Sequence, residues 1–323
     1  MANEFYNVMP TKAFEAQLRQ LPQSTKTILP YCTNMGDQTG EESYFNQAGS
    51  MTARKGRVRF GDHEKDQGVF KRRRVTPEFA YLATELDCKD QVETLVDPRS
   101  NLAMNVKHAL SRQIGQDTIT NAFGTAYTGK AGGTSESFNS SDIVGAAVGG
   151  SASTGMNADK LVGAIEKIQD QGFDLTDPAN ELTLVMGPKQ SSDAKLDSVL
   201  SNYDYLTSGI LSGIEVPDGF MGIKNVMVDP MCPFANDAAT GVNSSWTDNG
   251  LAQDDTSAND VRMAFLFVKS AIGYSMWEQP TVKVDELQNQ HYDWQLYSRV
   301  QYGITRMYEA GGIVGILCDQ SPA

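Results

Sequence analysis

The sequence has 323 residues, 40% of them hydrophobic and 21% charged, an ordinary composition for a folded chain of one large or two modest domains. Its formal net charge of −13 excludes a general nucleic-acid binder, because such proteins are usually basic. The longest apolar run, at 313–318, is far shorter than the roughly 20 residues of a membrane-spanning helix. The first residues contain no signal segment, so we expect neither export nor membrane association.

Residues 1–43 are weakly periodic and interrupted by prolines, which predicts an N-terminal arm that orders on a neighbouring molecule. Phe14, Leu18 and Leu21 are spaced for a short helix that Pro22 ends. The four cysteines and three histidines are scattered along the chain, and no pair has the spacing of metal ligands. We therefore predict reduced thiols, no metal and no cofactor.

Residues 44–90 are predicted to form a long β-hairpin, since Val58 and Phe60 alternate with charged residues and turn sequences follow at 61–62 and 67–68. Nine basic and three acidic residues lie between Arg54 and Arg74, a net charge of +6 that leaves −19 for the rest of the chain. Three interpretations are open: a solvated charged hairpin, an arm that binds the acidic surface of an identical subunit, or a nuclear localisation signal at 71–74.

The clearest helix is predicted from Asp97, a good N-cap followed by proline, to Gly124. Its apolar residues recur every four or five positions, at 102, 106, 110, 114, 119 and 123. A helix of this length measures about 40 Å, which suits a spine on which sheets pack.

A Gly/Ser/Thr-rich passage at 125–155 predicts a boundary, and an α/β section follows it. Helices are predicted after Asn157 and Pro188, and strands at 182–186, 226–228 and 263–268. The loop 232–260 contains five Asp and no Lys or Arg, and it is predicted to be a solvated surface loop rather than a calcium site. From residue 281 the chain is β again, with strict alternation from Trp294 to Ile304.

Catalytic motifs are not found in this sequence. Residues 124–130 nearly match a phosphate-binding loop, but Ala131 replaces the required Ser or Thr, and the helix precedes the loop instead of following it. Neither a zinc-protease motif nor a nucleophile elbow occurs. We therefore predict no catalytic residues.

Taken in chain order, these segments resemble the major capsid proteins of tailed bacteriophages, which share the Hong Kong phage capsid fold. The residues that carry the similarity are 97–117 with 122–126, 182–188, 219–222 with 226–229, and 302–303 with 311–316. The resemblance implies an α+β fold with an N-terminal arm at 1–43, a β-hairpin or E-loop at 44–90, a peripheral domain containing the spine helix at 91–150 and 277–323, and an α/β axial domain at 151–276 into which the acidic loop 232–260 is inserted.

The resemblance also implies a structural, non-enzymatic function: self-assembly as pentamers and hexamers into the icosahedral head that encloses double-stranded DNA. The chain would then belong to the virion, assembled in the host cytoplasm. Implied partners are a separate scaffolding protein, a portal protein and DNA packaged without sequence-specific binding, while cement or decoration proteins are left open. Two alternatives are an encapsulin-like nanocompartment shell and a soluble α/β enzyme with an unrecognised site.

The basic hairpin is the site that we predict to join subunits, through non-covalent contacts. Its candidate contact residues are Arg54, Lys55, Arg57, Arg59, Lys71, Arg72, Arg73 and Arg74. Candidate acidic partners on the adjacent subunit are Glu85, Asp87 and Glu93, before the spine helix. Some capsid relatives cross-link a hairpin Lys to an Asn, but no spacing rule joins Lys55, Lys65 or Lys71 to Asn289, with Glu286 nearby.

Overall fold

A computed structural model describes residues 26–49, 51–53, 55–56, 68, 70–86, 99–150, 154–197, 200, 220–230, 232–235, 261–289 and 292–319. These residues form three α-helices and three β-sheets, which confirms the α+β class. The helices are α1 (Arg99–Phe123), α2 (Ala158–Asp170) and α3 (Pro188–Leu196). The strands are β1 (Thr33–Asp37), β2 (Ser43–Ala48), β3 (Phe70–Val75), β4 (Glu78–Leu86), β5 (Ala126–Thr128), β6 (Thr134–Glu136), β7 (Ile143–Val144), β8 (Leu182–Met186), β9 (Asn225–Val228), β10 (Phe234–Ala235), β11 (Val261–Val268), β12 (Ile272–Leu287), β13 (Asp293–Arg306) and β14 (Ile313–Asp319).

The predicted spine helix is confirmed as α1. Val106, Leu110 and Ile114 are buried along one side of it, because residues at this spacing share one helix face. The helix ends where the backbone N–H of Gly124 bonds the carbonyl of Thr120 at 2.8 Å. The predicted N-cap at 97, the arm helix at 14–21 and the alternation at 58–60 lie outside the described residues.

A long sheet with the strand order β1-β12-β13-β4 supports the spine helix. The long return strand predicted around 294–304 is confirmed as β13, which pairs antiparallel with β12 along nearly its whole length. Its residues Leu296, Val300 and Tyr302 are buried, in keeping with the predicted alternation. The helix therefore lies on the face of the sheet to which these residues point.

The second sheet, in the order β7-β14-β11-β8-β9, contains the largest part of the core. Every residue of β11 and β8 is buried, as expected for strands that are covered on both faces. Helix α2 begins at Asn157, whose side chain accepts a bond from the backbone N–H of Lys160 at 3.0 Å, and buries Leu161 and Ile168. The helices and strands predicted for this section are confirmed.

Two strands pair in sheets that the sequence alone did not indicate. Strand β4, assigned above to the hairpin, pairs with β13 and closes one edge of the long sheet. Strand β14, assigned to the peripheral domain, pairs with β11 in the second sheet. The physical reason is burial: six of the seven residues of β14 are buried, and a strand apolar on both faces needs a central position. The predicted domain boundaries remain predictions.

No helix in the described part of the chain is both long and apolar enough to cross a membrane. The same residues contain no group of His, Cys, Asp or Glu that could hold a metal ion. The acidic loop is predicted over 232–260, but residues 234–235 form strand β10, which pairs with β11, and residues 236–260 lie outside the described ranges.

Candidate functional site: the base of the basic hairpin

The third sheet, in the order β2-β3-β5-β6, forms the base of the predicted hairpin. Strand β2 pairs antiparallel with β3 from Ser43 opposite Val75 to Ala48 opposite Phe70. Strand β3 also pairs with β5, which follows the spine helix directly. The sheet that contains β2 and β3 is thus fixed to the end of the spine helix.

Arg73 is the most buried of the candidate contact residues, with 1% of its surface exposed. Its guanidinium forms an ion pair with Glu136 on β6, and its Nε donates to the carbonyl of Met307 at 2.9 Å. The alternation of β3 directs Arg73 into the subunit together with Val75. Arg73 is therefore used by its own subunit and offers no surface to a neighbour in this conformation.

The neighbouring arginines lie on the opposite, partly exposed face of the same sheet. Arg72 bonds the side chain of Asn46 at 2.8 Å, and its guanidinium lies 5.4 Å from the ring centre of Tyr44. Arg74 pairs with Glu42 at 3.2 Å and stacks at 4.7 Å from the ring centre of Tyr127. These contacts hold both side chains flat against the sheet and stabilise the hairpin base.

Lys71 forms an exposed ion pair with Glu309, which follows β13. The hydrogen bond from Lys71 lowers the pKa of the Glu309 carboxyl. The pair links the hairpin to the turn after β13, and Gln47 reinforces that link by donating to the carbonyl of Met307 at 3.1 Å. Two strands of the hairpin are thereby held to the same turn.

A second buried arginine, Arg306, lies next to this cluster at the end of β13. Its guanidinium donates to the carbonyls of Ala122 and Gly124, each at 3.0 Å, and to that of Glu136 at 3.1 Å. Burial, followed by the nearby charge of Arg73, lowers the pKa of Arg306 to about 10. A cation at the last carbonyls of the spine helix also opposes the negative end of the helix dipole.

Of the other predicted site residues, the structure describes only Glu85 and Lys55. Glu85 is exposed on β4, in the long sheet, and Lys55 is exposed in the short described stretch 55–56. The intersubunit roles of Glu85 and Lys55 stay predictions. The residues Arg54, Arg57, Arg59, Lys65, Asp87 and Glu93 lie outside the described ranges.

Residues 124–130 form the end of the spine helix, strand β5 and the turn into β6, where the N–H of Gly132 bonds the carbonyl of Gly129 at 3.0 Å. A strand follows, where a phosphate-binding loop would need a helix, so the turn interpretation is confirmed.

The cysteines described, Cys32, Cys232 and Cys318, are free thiols, and burial raises the pKa of each. Sequence reasoning missed Glu136, Glu309 and Arg306, because none of them belongs to a motif.

Replacement of Arg73 by Met should weaken the attachment of the hairpin base to the rest of the subunit. Glu136 would lose its ion-pair partner, and the carbonyl of Met307 would lose one hydrogen-bond donor. We expect Arg73→Met to lower the free energy of unfolding by about 3 kcal/mol. Hydrogen exchange of β2 and β3 in the isolated subunit measures the local effect. The matched control Arg72→Met, on the exposed face, should cost about 1 kcal/mol or less; equal effects would contradict the buried role of Arg73.

The family model for phage capsid proteins matches residues 8–320. No curated protein is similar enough in sequence to count as a relative. Among solved structures, the fold is similar to the capsid of Cyanophage P-SCSP1u, with a TM-score of 0.67, 14% identity and coverage of 95% of this chain and 92% of that one. It is also similar to the capsid of Helicobacter pylori bacteriophage KHP30, with a TM-score of 0.63, 8% identity and coverage of 98% and 97%.

The capsid of Ralstonia phage GP4 gives a TM-score of 0.59 with 14% identity, and 97% of each chain is covered. At such identities these likenesses show a shared fold, while the family model covers nearly the whole sequence. The fold combines a spine helix on a long sheet, a hairpin base beside the end of that helix and a second, buried sheet. Because the family model spans nearly all of this sequence, the chain belongs to the phage capsid protein family.

Proposed function

We propose that this chain is the major structural subunit of a tailed-phage head and assembles, as pentamers and hexamers, into a closed icosahedral shell around double-stranded DNA. The observation that carries the proposal is the family match over residues 8–320. The fold adds support, because it agrees with capsid subunits over nearly the full length of both chains. A separate scaffolding protein, a portal and assembly in the host cytoplasm belong to the same proposal.

Within this function, the basic hairpin joins neighbouring subunits. Its base is tied to the subunit by the buried Arg73, which fixes where β2 ends and where β3 begins. The segment 49–69 between the two strands contains Arg54, Lys55, Arg57 and Arg59, whereas the remaining chain carries a large negative charge. Opposite charges on identical subunits favour their association.

Charge reversal in the segment tests this role. We expect Arg57→Glu combined with Arg59→Glu to leave the subunit folded but to reduce particle formation at least tenfold, because the cationic arm would become acidic. Circular dichroism reports the fold, and sedimentation with particle imaging reports assembly. The control Lys107→Glu with Lys283→Glu changes the charge equally at exposed residues outside the hairpin.

If the hairpin variant formed normal particles, the proposed role of the charged arm in the subunit interface would be contradicted. The wild-type chain discriminates between the functions: closed particles are expected when it is expressed with a scaffolding protein, whereas an enzyme would form a small oligomer. Protein cargo in place of DNA inside particles from infected cells would favour the nanocompartment. Efficient, uniform shells from the chain expressed alone would contradict a separate scaffolding protein.

A further inference from the structure

A groove of about 480 Å³ lies between strand β4 and the spine helix, and its lining contains two carboxylates. Glu78 belongs to β4 and Asp117 to α1, so each of the two elements that the groove separates contributes one of them. Among the described residues of the lining there is no Lys, Arg or His. Apart from Gln113 and Tyr302, the remaining lining is aliphatic or aromatic, and such walls screen charges less than water does.

The two carboxylates differ in the hydrogen-bond donors that reach them. Asp117 accepts from the side chain of Gln113 at 2.9 Å and from the hydroxyl of Tyr302. Burial, followed by the hydrogen bond to Asp117, raises the pKa of Tyr302, which keeps this hydroxyl a donor. Glu78 accepts from Asn121 at 3.2 Å. Of the two carboxylates, Glu78 therefore has fewer described donors to stabilise its charge.

The position of Glu78 lets its carboxyl exchange protons with water, because the residue is exposed at the start of β4. The adjacent helix still removes part of the surrounding water, and this partial burial raises the pKa of Glu78. The hydrogen bond from Asn121 opposes the rise, and the charge of Asp117 adds to it. Glu78 therefore becomes neutral at a higher pH than a fully hydrated glutamate does.

Uptake of a proton changes the hydrogen bonds that this pair of carboxyl groups can form. Two ionised carboxylates have acceptors only, so near neutral pH Glu78 and Asp117 cannot bond to each other. A neutral Glu78 gains one O–H donor, while each oxygen of Asp117 has a lone pair to spare. Asp117 lies one helical turn before Asn121, which already contacts Glu78, so the two carboxyl groups are neighbours at the groove.

We infer that Glu78 and Asp117 form an acid-sensitive joint between the long sheet and the spine helix. Near neutral pH, repulsion between the two charges weakens the contact of β4 with α1. In mild acid, a proton from water binds a carboxylate oxygen of Glu78, and a hydrogen bond from Glu78 to Asp117 replaces the repulsion.

The groups that face Glu78 come from both elements packed against it. They are Asp117, Gln113 and Asn121 on α1 and Tyr302 on β13, and of these only Asp117 is charged. The joint lies within one subunit, so the inference does not depend on the proposed function.

The stability of the subunit should follow this proton. Because the pKa of Glu78 is raised in the folded chain, the folded chain binds the proton more tightly than the unfolded chain does. The contribution of Glu78 to the free energy of unfolding therefore increases as the pH falls from 8 through the raised pKa. It becomes constant below the pKa of the unfolded chain.

Thermal unfolding of the full chain at pH 8.0 and pH 5.2 tests the joint with the variant Glu78→Gln. Gln has nearly the shape of a neutral Glu and keeps a donor at every pH, so the variant should melt roughly 2 °C above the wild type at pH 8.0. The difference should at least halve at pH 5.2, where Glu78 itself takes up the proton. The matched control Glu85→Gln removes a charge from an exposed position of the same strand outside the groove and should show no such difference.

The partner is tested with Asp117→Asn, which removes the second charge. In that background, Glu78→Gln should raise the midpoint at pH 8.0 by less than half as much. An undiminished gain would show that Glu78 responds to burial alone, and a midpoint of Glu78→Gln at or below that of the wild type at pH 8.0 would equally overturn the joint.

Hydrogen exchange on the wild-type chain needs no variant. The protection factors of the amides of residues 78–86, which are corrected for the intrinsic effect of pH on exchange, should rise at least threefold between pH 8.0 and pH 5.2. Unchanged protection of this strand would also overturn the inference.

Discussion

Replacement of Arg306 by Met is expected to lower the free energy of unfolding of the isolated subunit by about 3–5 kcal/mol. The guanidinium satisfies three carbonyls, from Ala122, Gly124 and Glu136, and it is 2% exposed. Met fills similar space but donates no hydrogen bond, so these acceptors would lose their donor in the interior. The end of the spine helix would also lose the cation that opposes its dipole.

Urea unfolding followed by circular dichroism measures this loss. Arg299 provides a matched control on the same strand, since its side chain is 39% exposed and its partner is Glu278. Exposed ion pairs contribute little, so Arg299→Met should cost about 1 kcal/mol or less. A similar loss in both variants would show that the three carbonyl contacts of Arg306 contribute nothing specific.

Replacement of Lys160 by Met is expected to destabilise the subunit by about 2–4 kcal/mol. Lys160 is fully buried, and its ammonium donates to the carbonyls of Thr154, Gly155 and Leu317 at 2.6, 3.0 and 2.9 Å. Burial lowers the pKa of this amine, which reflects the cost of holding a charge there. Met removes that cost but takes one donor from each of the three carbonyls, of which Thr154 keeps its bond from the N–H of Asp319, and the loss of donors is the larger effect.

Thermal unfolding of the isolated subunit compares this variant with Lys167→Met on the same helix. Lys167 donates to the carbonyl of Ser141 from an exposed position, so its loss should shift the midpoint by only a degree or two. If Lys160→Met unfolded at the wild-type temperature, the bridge between α2 and β14 would have no energetic role.

The sequence predicts the elements of the fold better than their partners. Helix α1 and strand β13 were predictable because their apolar residues recur with the periods of a helix and a strand. The pairing of β4 with β13 and of β14 with β11 depends on contacts between distant residues, on which local periodicity has no bearing. The spacing of apolar residues therefore locates the strands, but it does not identify which strands are neighbours in a sheet.

The candidate site was predictable only in part, for a similar reason. In the run of residues 71–74 the four cations look equivalent, although Arg73 is buried and Arg72 is not. Only the neighbouring sheet decides which face of the strand is the inner one. Arg306 and Lys160 act on backbone carbonyls, which carry no sequence signal at all.

The position of β14 has a consequence for the order of events during synthesis. This strand is the last of the described strands along the chain, yet it lies between β7 and β11 in the second sheet. A ribosome must therefore release nearly the whole described chain before that sheet can close, and such long-range pairing is slow. The second sheet therefore becomes complete only at the end of synthesis, after every described strand of the other two sheets has been made.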